Sequence, residues 1–249
     1  MSEKCLEVMT LSKRFGGLTA LDRIDLYVNE AEIVGLIGPN GSGKTTLFNC
    51  ITSFVKPDNG KIFLRTVEIT NRSPHEIIQE GVSRTFQITR VFPELTVMEN
   101  MLISISHKEE SRIRSIYKGN NKAEIEKAWE LLEFVGISKL SGEPGGELSY
   151  GQQKLLELAS SLMQNPTVVL LDEPTAGVNP TLINKIIDRI MEANKQYGVT
   201  FFVIEHNMDV IMSISMRMYA LAAGKIIAEG DPEGVRNNPD VLEAYLGGD

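Results

Sequence analysis

Long apolar runs and an excess of positive charge are both missing from this sequence of 249 residues. No apolar segment approaches the roughly 18 residues that a membrane-spanning helix needs, so the sequence predicts no membrane span. Residues 1–4 lack the apolar core of a secretory signal peptide. The formal net charge of −8 argues against binding to nucleic acid or to anionic lipid over a large surface.

Cysteine is also scarce, with only Cys5 and Cys50 present. Two isolated thiols in a chain without an export signal are typical of a reducing cytoplasm, and they indicate no metal site. Hydrophobic residues make up 42% of the chain, which is enough for a globular protein with a core. The length suits one well-packed domain with lobes, or two small domains.

The most informative stretch is a glycine-rich loop between an apolar strand, residues 32–37, and a helical pattern. It fits G-x-x-x-x-G-K-[ST] position by position. Its glycines permit a tight turn that brings backbone N–H groups and a helix N-terminus towards phosphate oxygens. Lys44 is placed to reach the β- and γ-phosphates, and Thr45 to ligate Mg²⁺. The loop residues predicted to bind a nucleoside triphosphate are Gly38, Pro39, Asn40, Gly41, Ser42, Gly43, Lys44, Thr45 and Thr46.

The rest of the chain alternates strand and helix patterns. Two strands before the loop, at about 5–11 and 20–28, indicate an antiparallel lobe. Residues from about 89 to 165 carry almost no strand signal, which predicts an all-helical lobe inserted into the nucleotide core. Strands at 167–171 and 200–204 alternate with helices and indicate a mostly parallel core sheet. We therefore predict a single α/β domain over residues 1–249.

Polar residues follow two of the predicted core strands. Asp172 and Glu173 come directly after an apolar strand, which is the Walker B arrangement when it lies downstream of a phosphate loop. Asp172 is expected to hold Mg²⁺, and Glu173 to stand beside the attacking water. His206 follows the next strand, where ligands bind in such sheets, although a lone histidine is more often structural.

Two further sites each have a structural and a functional interpretation. Ser149 and Gln152 form an S-x-x-Q capping box at a helix start. A helix N-terminus with a hydroxyl and a neighbouring glycine, Gly151, also suits an anion, and the two interpretations are compatible. Phe15 is equally suited to stacking on a purine ring or to packing as an ordinary aromatic.

With these segments in place, the chain resembles the nucleotide-binding subunit of ABC transporters from end to end. The family's motifs occur in its order: Phe15 as the adenine-stacking aromatic, Gly38–Thr46 as Walker A, Gln87 as the Q-loop, Leu148–Gln152 as the signature, Val168–Glu173 as Walker B, Asn179 in the D-loop and His206 as the switch histidine. Phe15 precedes Lys44 by 29 positions (44 − 15), a spacing typical of the family that favours an adenine contact. Segments 13–21, 84–87, 148–153 and 204–209 look like those of the high-affinity branched-chain amino acid importers.

The resemblance implies a P-loop NTPase with a RecA-like core sheet, an antiparallel β lobe and an inserted helical lobe. It implies ATP and Mg²⁺ as cofactors, with Thr45, Gln87 and Asp172 at the metal. The catalytic residues it implies are Glu173, His206, Gln87 and Lys44.

In the family, two subunits sandwich ATP, so Ser149, Gly151 and Gln152 of one subunit would complete the site of the other. Transmembrane permease subunits, and indirectly a substrate-binding protein, are the further partners implied, at the cytoplasmic face of the membrane. Nucleic acid is not among them.

A second expected surface follows Gln87. Several apolar residues cluster around Pro93 and cannot all form the core face of one helix: Phe86, Ile88, Val91, Phe92 and Leu95. We expect some of them to line a groove that receives a cytoplasmic helix of the membrane subunit.

The sequence departs from the superfamily at Tyr150, which replaces the first glycine of L-S-G-G-Q, and at Asn179, which replaces the common D-loop aspartate. Both variants occur in the branched-chain group. We see no candidate arginine finger. The alternatives are the ATPase of a lipid or lipopolysaccharide exporter, a soluble ABC ATPase acting on DNA or ribosomes, and a P-loop GTPase or kinase. The last would not explain residues 148–152.

Overall fold

The structure is a computed structural model that describes residues 3–85, 91–105 and 122–246. The chain divides into two compact units. The first consists of Met1–Arg84, Thr167–Glu173 and Met191–Asp249, and the second of Thr85–Pro166 and Pro174–Ile190. The helical lobe expected at about 89–165 falls within the longer segment of the second unit. In the described ranges, no helix is long and apolar enough to cross a membrane.

The strands, in chain order, are β1 (Lys4–Phe15), β2 (Leu18–Asn29), β3 (Ile33–Ile37), β4 (Asn59–Leu64), β5 (Val67–Glu68), β6 (Val82–Arg84), β7 (Val168–Asp172), β8 (Thr200–Ile204), β9 (Arg217–Ala222) and β10 (Lys225–Gly230). The helices are α1 (Lys44–Ile51), α2 (Pro74–Glu80), α3 (Val97–Ile103), α4 (Lys122–Val135), α5 (Tyr150–Leu162), α6 (Pro180–Tyr197), α7 (Met208–Ile214), α8 (Pro232–Arg236) and α9 (Pro239–Leu246).

The first unit contains an antiparallel sheet in the order β2-β1-β4-β5. Between β1 and β2 the chain reverses at Gly16, whose φ of +58° is easily adopted by glycine. In β2, Ile24, Leu26 and Val28 are buried at alternate positions, so this strand presents one face to the core. The predicted antiparallel lobe is thereby confirmed.

The core sheet of the same unit has the order β10-β9-β3-β8-β7-β6. Its strands pair in parallel from β9 to β6, and β10 closes an antiparallel hairpin on β9. Strands β3, β7 and β8 are buried throughout, as parallel strands covered on both faces are. This confirms the predicted mostly parallel sheet.

The register of the core sheet decides where the polar residues lie. Ile204, at the end of β8, pairs with Leu36 of β3 on one side and with Asp172 of β7 on the other. The carboxyl ends of these three strands therefore lie side by side, and the residues that follow each strand share one edge of the sheet.

One hydrophobic cluster includes buried residues from both sheets of the first unit. Phe48 of α1 packs on Phe202 of β8 with ring centroids 5.1 Å apart, and both side chains are fully buried. Leu6 and Leu11 of the antiparallel sheet belong to the same buried cluster. The helix that starts at the glycine-rich loop is thus fixed to the sheet by its apolar face.

The second unit contains α3, α4, α5 and the first part of α6. The capping box predicted at Ser149 with Gln152 is present, and a second one, whose T-x-x-E pattern is also visible in the sequence, joins Thr96 and Glu99. The sequence of residues 122–135 predicts a helix with Trp129 on its apolar stripe, and this placement is wrong: Trp129 is 45% exposed, whereas Leu131 is buried. The indole lies beside the stripe because Ala128, Leu132 and Val135 already complete a helical face.

Candidate active site

The glycine-rich loop leaves β3 at the shared edge of the core sheet. Gly38 has a φ of +151°, and a Cβ added there would lie 2.0 Å from the carbonyl oxygen of Leu221. Gly43 has a φ of +112°, and its Cβ would lie 2.5 Å from the carbonyl oxygen of Ala20. Because neither space nor backbone conformation permits a side chain, these two positions require glycine.

The loop curls around the side chain of Lys44. Its Nζ donates to the carbonyl oxygens of Gly38 at 2.7 Å and Pro39 at 3.0 Å, and the residue is only 6% exposed. Burial lowers the pKa of Lys44, while the nearby carboxylates of Glu173 and Asp172 act in the opposite direction. The present acceptors of Lys44 are neutral carbonyl oxygens. An anionic ligand in the loop would offer it stronger acceptors.

The start of α1 adds further groups suited to an anion. In the described part of the chain no side chain caps this helix, whose first residues are Lys44, Thr45 and Thr46. Its first-turn N–H groups therefore lack side-chain acceptors. The hydroxyl oxygen of Ser42 is buried and has no hydrogen-bond partner among the described residues. Such a group is costly unless a ligand or water satisfies it.

Asp172 and Glu173 occupy the same edge of the sheet at the end of β7. The Oε1 atom of Glu173 lies 2.7 Å from Nε2 of His206, which follows β8. Glu173 has a φ of +51°, and its N–H donates to the carbonyl oxygen of Ile204 at 2.9 Å. A left-handed conformation at a residue other than glycine is strained and is found preferentially at functional sites.

Arg84 also belongs to this site, although no role was predicted for it from the sequence. Its Nη2 donates to Oδ2 of Asp172 at 2.9 Å, and its Nη1 to Oδ1 of Asn49 at 2.7 Å. The guanidinium carbon also lies 5.6 Å from the ring centroid of Phe48. Both partners of the ion pair are buried, with side chains 5% and 4% exposed. Arg84 is the last residue of β6, the strand next to the Walker B strand, and the carboxyl ends of neighbouring parallel strands lie side by side.

Phe15 ends β1 in the antiparallel sheet. The residue is 49% exposed, and Nζ of Lys13 lies 5.4 Å from its ring centroid. An exposed aromatic is not part of the core, so the packing interpretation of Phe15 loses its main support.

The signature residues belong to the second unit. Ser149 caps α5: its Oγ accepts from the N–H of Gln152 at 3.4 Å, and its own N–H donates to Oε1 of Gln152 at 2.8 Å. A Cβ at Gly151 would lie 1.8 Å from Cδ2 of Leu182, so this glycine also has a packing role. Asn179 caps α6 by accepting from the N–H of Leu182 at 3.1 Å.

The first unit thus brings together the loop, Asp172, Glu173 and His206. Gln87, expected at the metal and the attacking water, lies outside the described residues, as do Phe86 and Ile88.

Known proteins are similar to this chain in both sequence and fold. The family model for ABC transporters matches residues 21–176, and that for branched-chain amino acid ATP-binding cassette transporters matches residues 225–249. A probable branched-chain amino acid transport ATP-binding protein LivG of Archaeoglobus fulgidus is 42% identical over 98% of this chain and 96% of its own length. The high-affinity branched-chain amino acid transport ATP-binding protein BraF of Pseudomonas aeruginosa is 40% identical over 99% of both chains.

Solved structures give the same result. An ATP-binding cassette of an ABC transporter in its ADP conformation matches with a TM-score of 0.88 and 38% identity, over 99% of this chain and 100% of that one. A dimeric bacterial ABC transporter cassette matches with a TM-score of 0.76 and 25% identity, over 91% of this chain and 98% of that one. This chain therefore belongs to the ABC transporter family, as an ATP-binding cassette related to those of branched-chain amino acid transporters.

Proposed function

We propose that this protein is the ATP-hydrolysing subunit of an ABC importer for branched-chain or related amino acids. One observation carries the proposal: the Gly38–Thr46 loop, the Asp172–Glu173 pair and His206 share one edge of a parallel sheet. The names of the relatives favour the amino acid class over a lipid exporter or a soluble ATPase.

The groups in the loop fit a triphosphate. On binding, Lys44 would exchange the carbonyls of Gly38 and Pro39 for charged phosphate oxygens, which form stronger hydrogen bonds with an ammonium group. The buried hydroxyl of Ser42 would gain an acceptor. The first-turn N–H groups of α1 would face the phosphates at the positive end of the helix.

The oxygen donors present also fit Mg²⁺. The hydroxyl of Thr45 and the carboxylate of Asp172 are the hard ligands that this ion prefers, and Gln87 is the third residue that the resemblance implies. Bound there with ATP, Mg²⁺ would neutralise charge on the phosphates.

The hydrolytic step is assigned to Glu173 and His206. Glu173 would orient the attacking water and accept its proton, while His206, now paired with Glu173 at 2.7 Å, would hold the γ-phosphate. Ser149, Gly151 and Gln152 of a second ATP-binding subunit would close the site from the other side.

The partners proposed are a second ATP-binding subunit, identical or not, and transmembrane permease subunits served by a substrate-binding protein. The protein would then act at the cytoplasmic face of the membrane. The test is to purify the chain with its native membrane partners, identify them, and measure ATP-dependent uptake of leucine, isoleucine and valine in vesicles. Uptake of these amino acids supports the proposal; partners that export lipid and give no uptake contradict it.

Replacing Phe15 with alanine should weaken ATP binding by about 1 kcal/mol, the scale of one aromatic stacking contact. Because Phe15 is 49% exposed, the melting temperature should change little. Calorimetric titration with Mg²⁺-ATP, paired with a thermal melt, measures both. A large drop in melting temperature at unchanged affinity would instead make Phe15 a structural residue.

The proposed membrane-facing groove centres on Phe92. Val91 and Phe92 are both among the residues expected to line this groove, but their environments differ. A Cβ added at Gly145 would lie 2.5 Å from Cγ1 of Val91, which therefore packs closely within the unit, whereas Phe92 is 51% exposed. The side chain of Asn100 holds the backbone at Phe92. It accepts from the N–H of Phe92 at 2.8 Å and donates to the carbonyl oxygen of Phe92 at 3.1 Å.

We expect Phe92→Glu to abolish assembly with the permease while ATP binding and melting temperature stay near wild type, because an exposed ring contributes little to the core. Trp129→Glu, which charges another exposed aromatic of the same unit, is the matched control and should assemble normally. Co-purification with the permease measures the effect. Normal assembly of Phe92→Glu would place the groove elsewhere.

A further inference from the structure

A hydrogen bond joins the C-terminal helix to the first residue of the phosphate loop. The N–H of Gly38 donates to Oη of Tyr245, in α9, at 2.8 Å. Tyr245 is 41% exposed; burial raises its pKa, and the hydrogen bond from Gly38 acts in the opposite direction. The contact joins residues 207 positions apart in the chain.

Gly38 also bonds to the loop lysine. Its carbonyl oxygen accepts from Nζ of Lys44 at 2.7 Å, so the Tyr245 hydroxyl, Gly38 and the Lys44 ammonium form a continuous hydrogen-bonded chain. The residue cannot be held by a side chain of its own, because a Cβ would lie 2.0 Å from the carbonyl oxygen of Leu221. Its orientation is therefore set by these hydrogen bonds and by β3, which it follows.

Apolar packing of α9 does not account for the hydroxyl group of Tyr245, because the helix buries few apolar side chains. In this eight-residue helix only Val241 is buried, while Leu242 and Leu246 are 49% and 84% exposed. The helix contacts β9, β10 and α8. If position 245 served only to dock α9 on the rest of the first unit, another apolar side chain would be sufficient. The hydroxyl group of Tyr245 in addition accepts a directional hydrogen bond from the Gly38 amide.

We propose that Tyr245 is a positioning residue for nucleotide binding, through which α9 fixes Gly38 and, with it, the carbonyl that orients Lys44. This inference rests on the proposed nucleotide site. It gives a role to the C-terminal segment, residues 225–249, that a separate family model matches.

The test uses Tyr245→Phe, which keeps the ring and removes the oxygen. Mg²⁺-ATP should bind about threefold to tenfold more weakly, which is the range that one neutral hydrogen bond supplies. The matched control is Tyr219→Phe, which loses a hydroxyl bonded to the carbonyl of Tyr27 and to Glu229, neither of which belongs to the loop. The control should melt earlier and bind ATP as wild type does. If Tyr245→Phe lowered the melting temperature but left ATP affinity unchanged, Tyr245 would only anchor α9, and the proposal would be overturned.

A second readout does not depend on nucleotide. Ile37–Gly38 is the only Ile-Gly pair in the sequence, so labelling isoleucine carbonyls with ¹³C and glycine nitrogens with ¹⁵N isolates the Gly38 amide signal. In the nucleotide-free protein, Tyr245→Phe should speed solvent exchange of this amide by about threefold or more, because its acceptor is lost. Unchanged exchange would overturn the inference even if wild type binds ATP. If wild type binds no ATP, the proposed function fails, and this measurement still decides whether Tyr245 holds Gly38.

Discussion

Glu173→Gln should bind Mg²⁺-ATP but hydrolyse it about 10²–10⁴-fold more slowly than wild type, the usual contribution of a positioned general base. Glutamine keeps the shape and hydrogen-bonding reach of Glu173 but cannot accept a proton. The substitution also removes one negative charge near the γ-phosphate, which favours the ATP-bound state. Because Glu173 lies at the sheet edge beside His206, its position fits that role. Phosphate release under saturating ATP measures the effect.

The control for this prediction is Asp209→Asn, which removes an exposed carboxylate only three residues after His206. It should hydrolyse ATP at the wild-type rate. If Glu173→Gln turned over ATP within about threefold of wild type, the general-base effect would be absent and another group would have to activate the water.

Arg84→Met should lower the free energy of unfolding by about 3–5 kcal/mol, the cost of leaving one partner of a buried ion pair uncompensated. Both side chains of the Arg84–Asp172 pair are almost completely buried, so water cannot replace the guanidinium. Methionine keeps an apolar stem beside Phe48 but supplies no donor to Asp172 or Asn49. Denaturant unfolding in the absence of nucleotide measures the loss.

Two further variants separate the charge effect from loss of packing. Arg65→Met breaks an exposed ion pair with Glu30, whose side chains are 58% and 37% exposed, and should cost at most about 1 kcal/mol. Adding Asp172→Asn to Arg84→Met removes the uncompensated charge and should restore part of the stability. If Arg84→Met unfolded like Arg65→Met, Asp172 would be stabilised by other groups.

The elements that were predicted well are those with local signals. The phosphate loop and strand β8 are recognisable from residue spacing and periodicity within about 15 positions. The sequence likewise predicts helices at 122–135 and 239–246, which match α4 and α9. Strand β5 and helix α8 were missed because two and five residues are too short to show a period. The sequence predicts a short strand at 84–88; of these positions β6 (Val82–Arg84) includes Arg84, and residues 86–88 lie outside the described part of the chain.

The candidate site follows the same rule. Asp172, Glu173 and His206 could be placed together because parallel strands end at one edge. The pairing of Arg84 with Asp172, 88 positions away, and that of Tyr245 with Gly38 depend on tertiary packing, which a single sequence does not specify. The burial of Trp129 was predicted wrongly for a related reason: periodicity indicates which face of a helix is buried, but not how wide the buried stripe is.

The most direct test of the composite-site mechanism is the molar mass of Glu173→Gln in Mg²⁺-ATP, measured by light scattering during size-exclusion chromatography. The proposal predicts a closed dimer of ATP-binding subunits with two trapped nucleotides, formed alone or with the native membrane partners supplied. Adding Ser149→Arg should disfavour the dimer, because the new side chain places bulk at the cap of α5, where the second subunit's nucleotide would bind. A protein that keeps the mass of one chain under saturating Mg²⁺-ATP, with and without those partners, would contradict the mechanism.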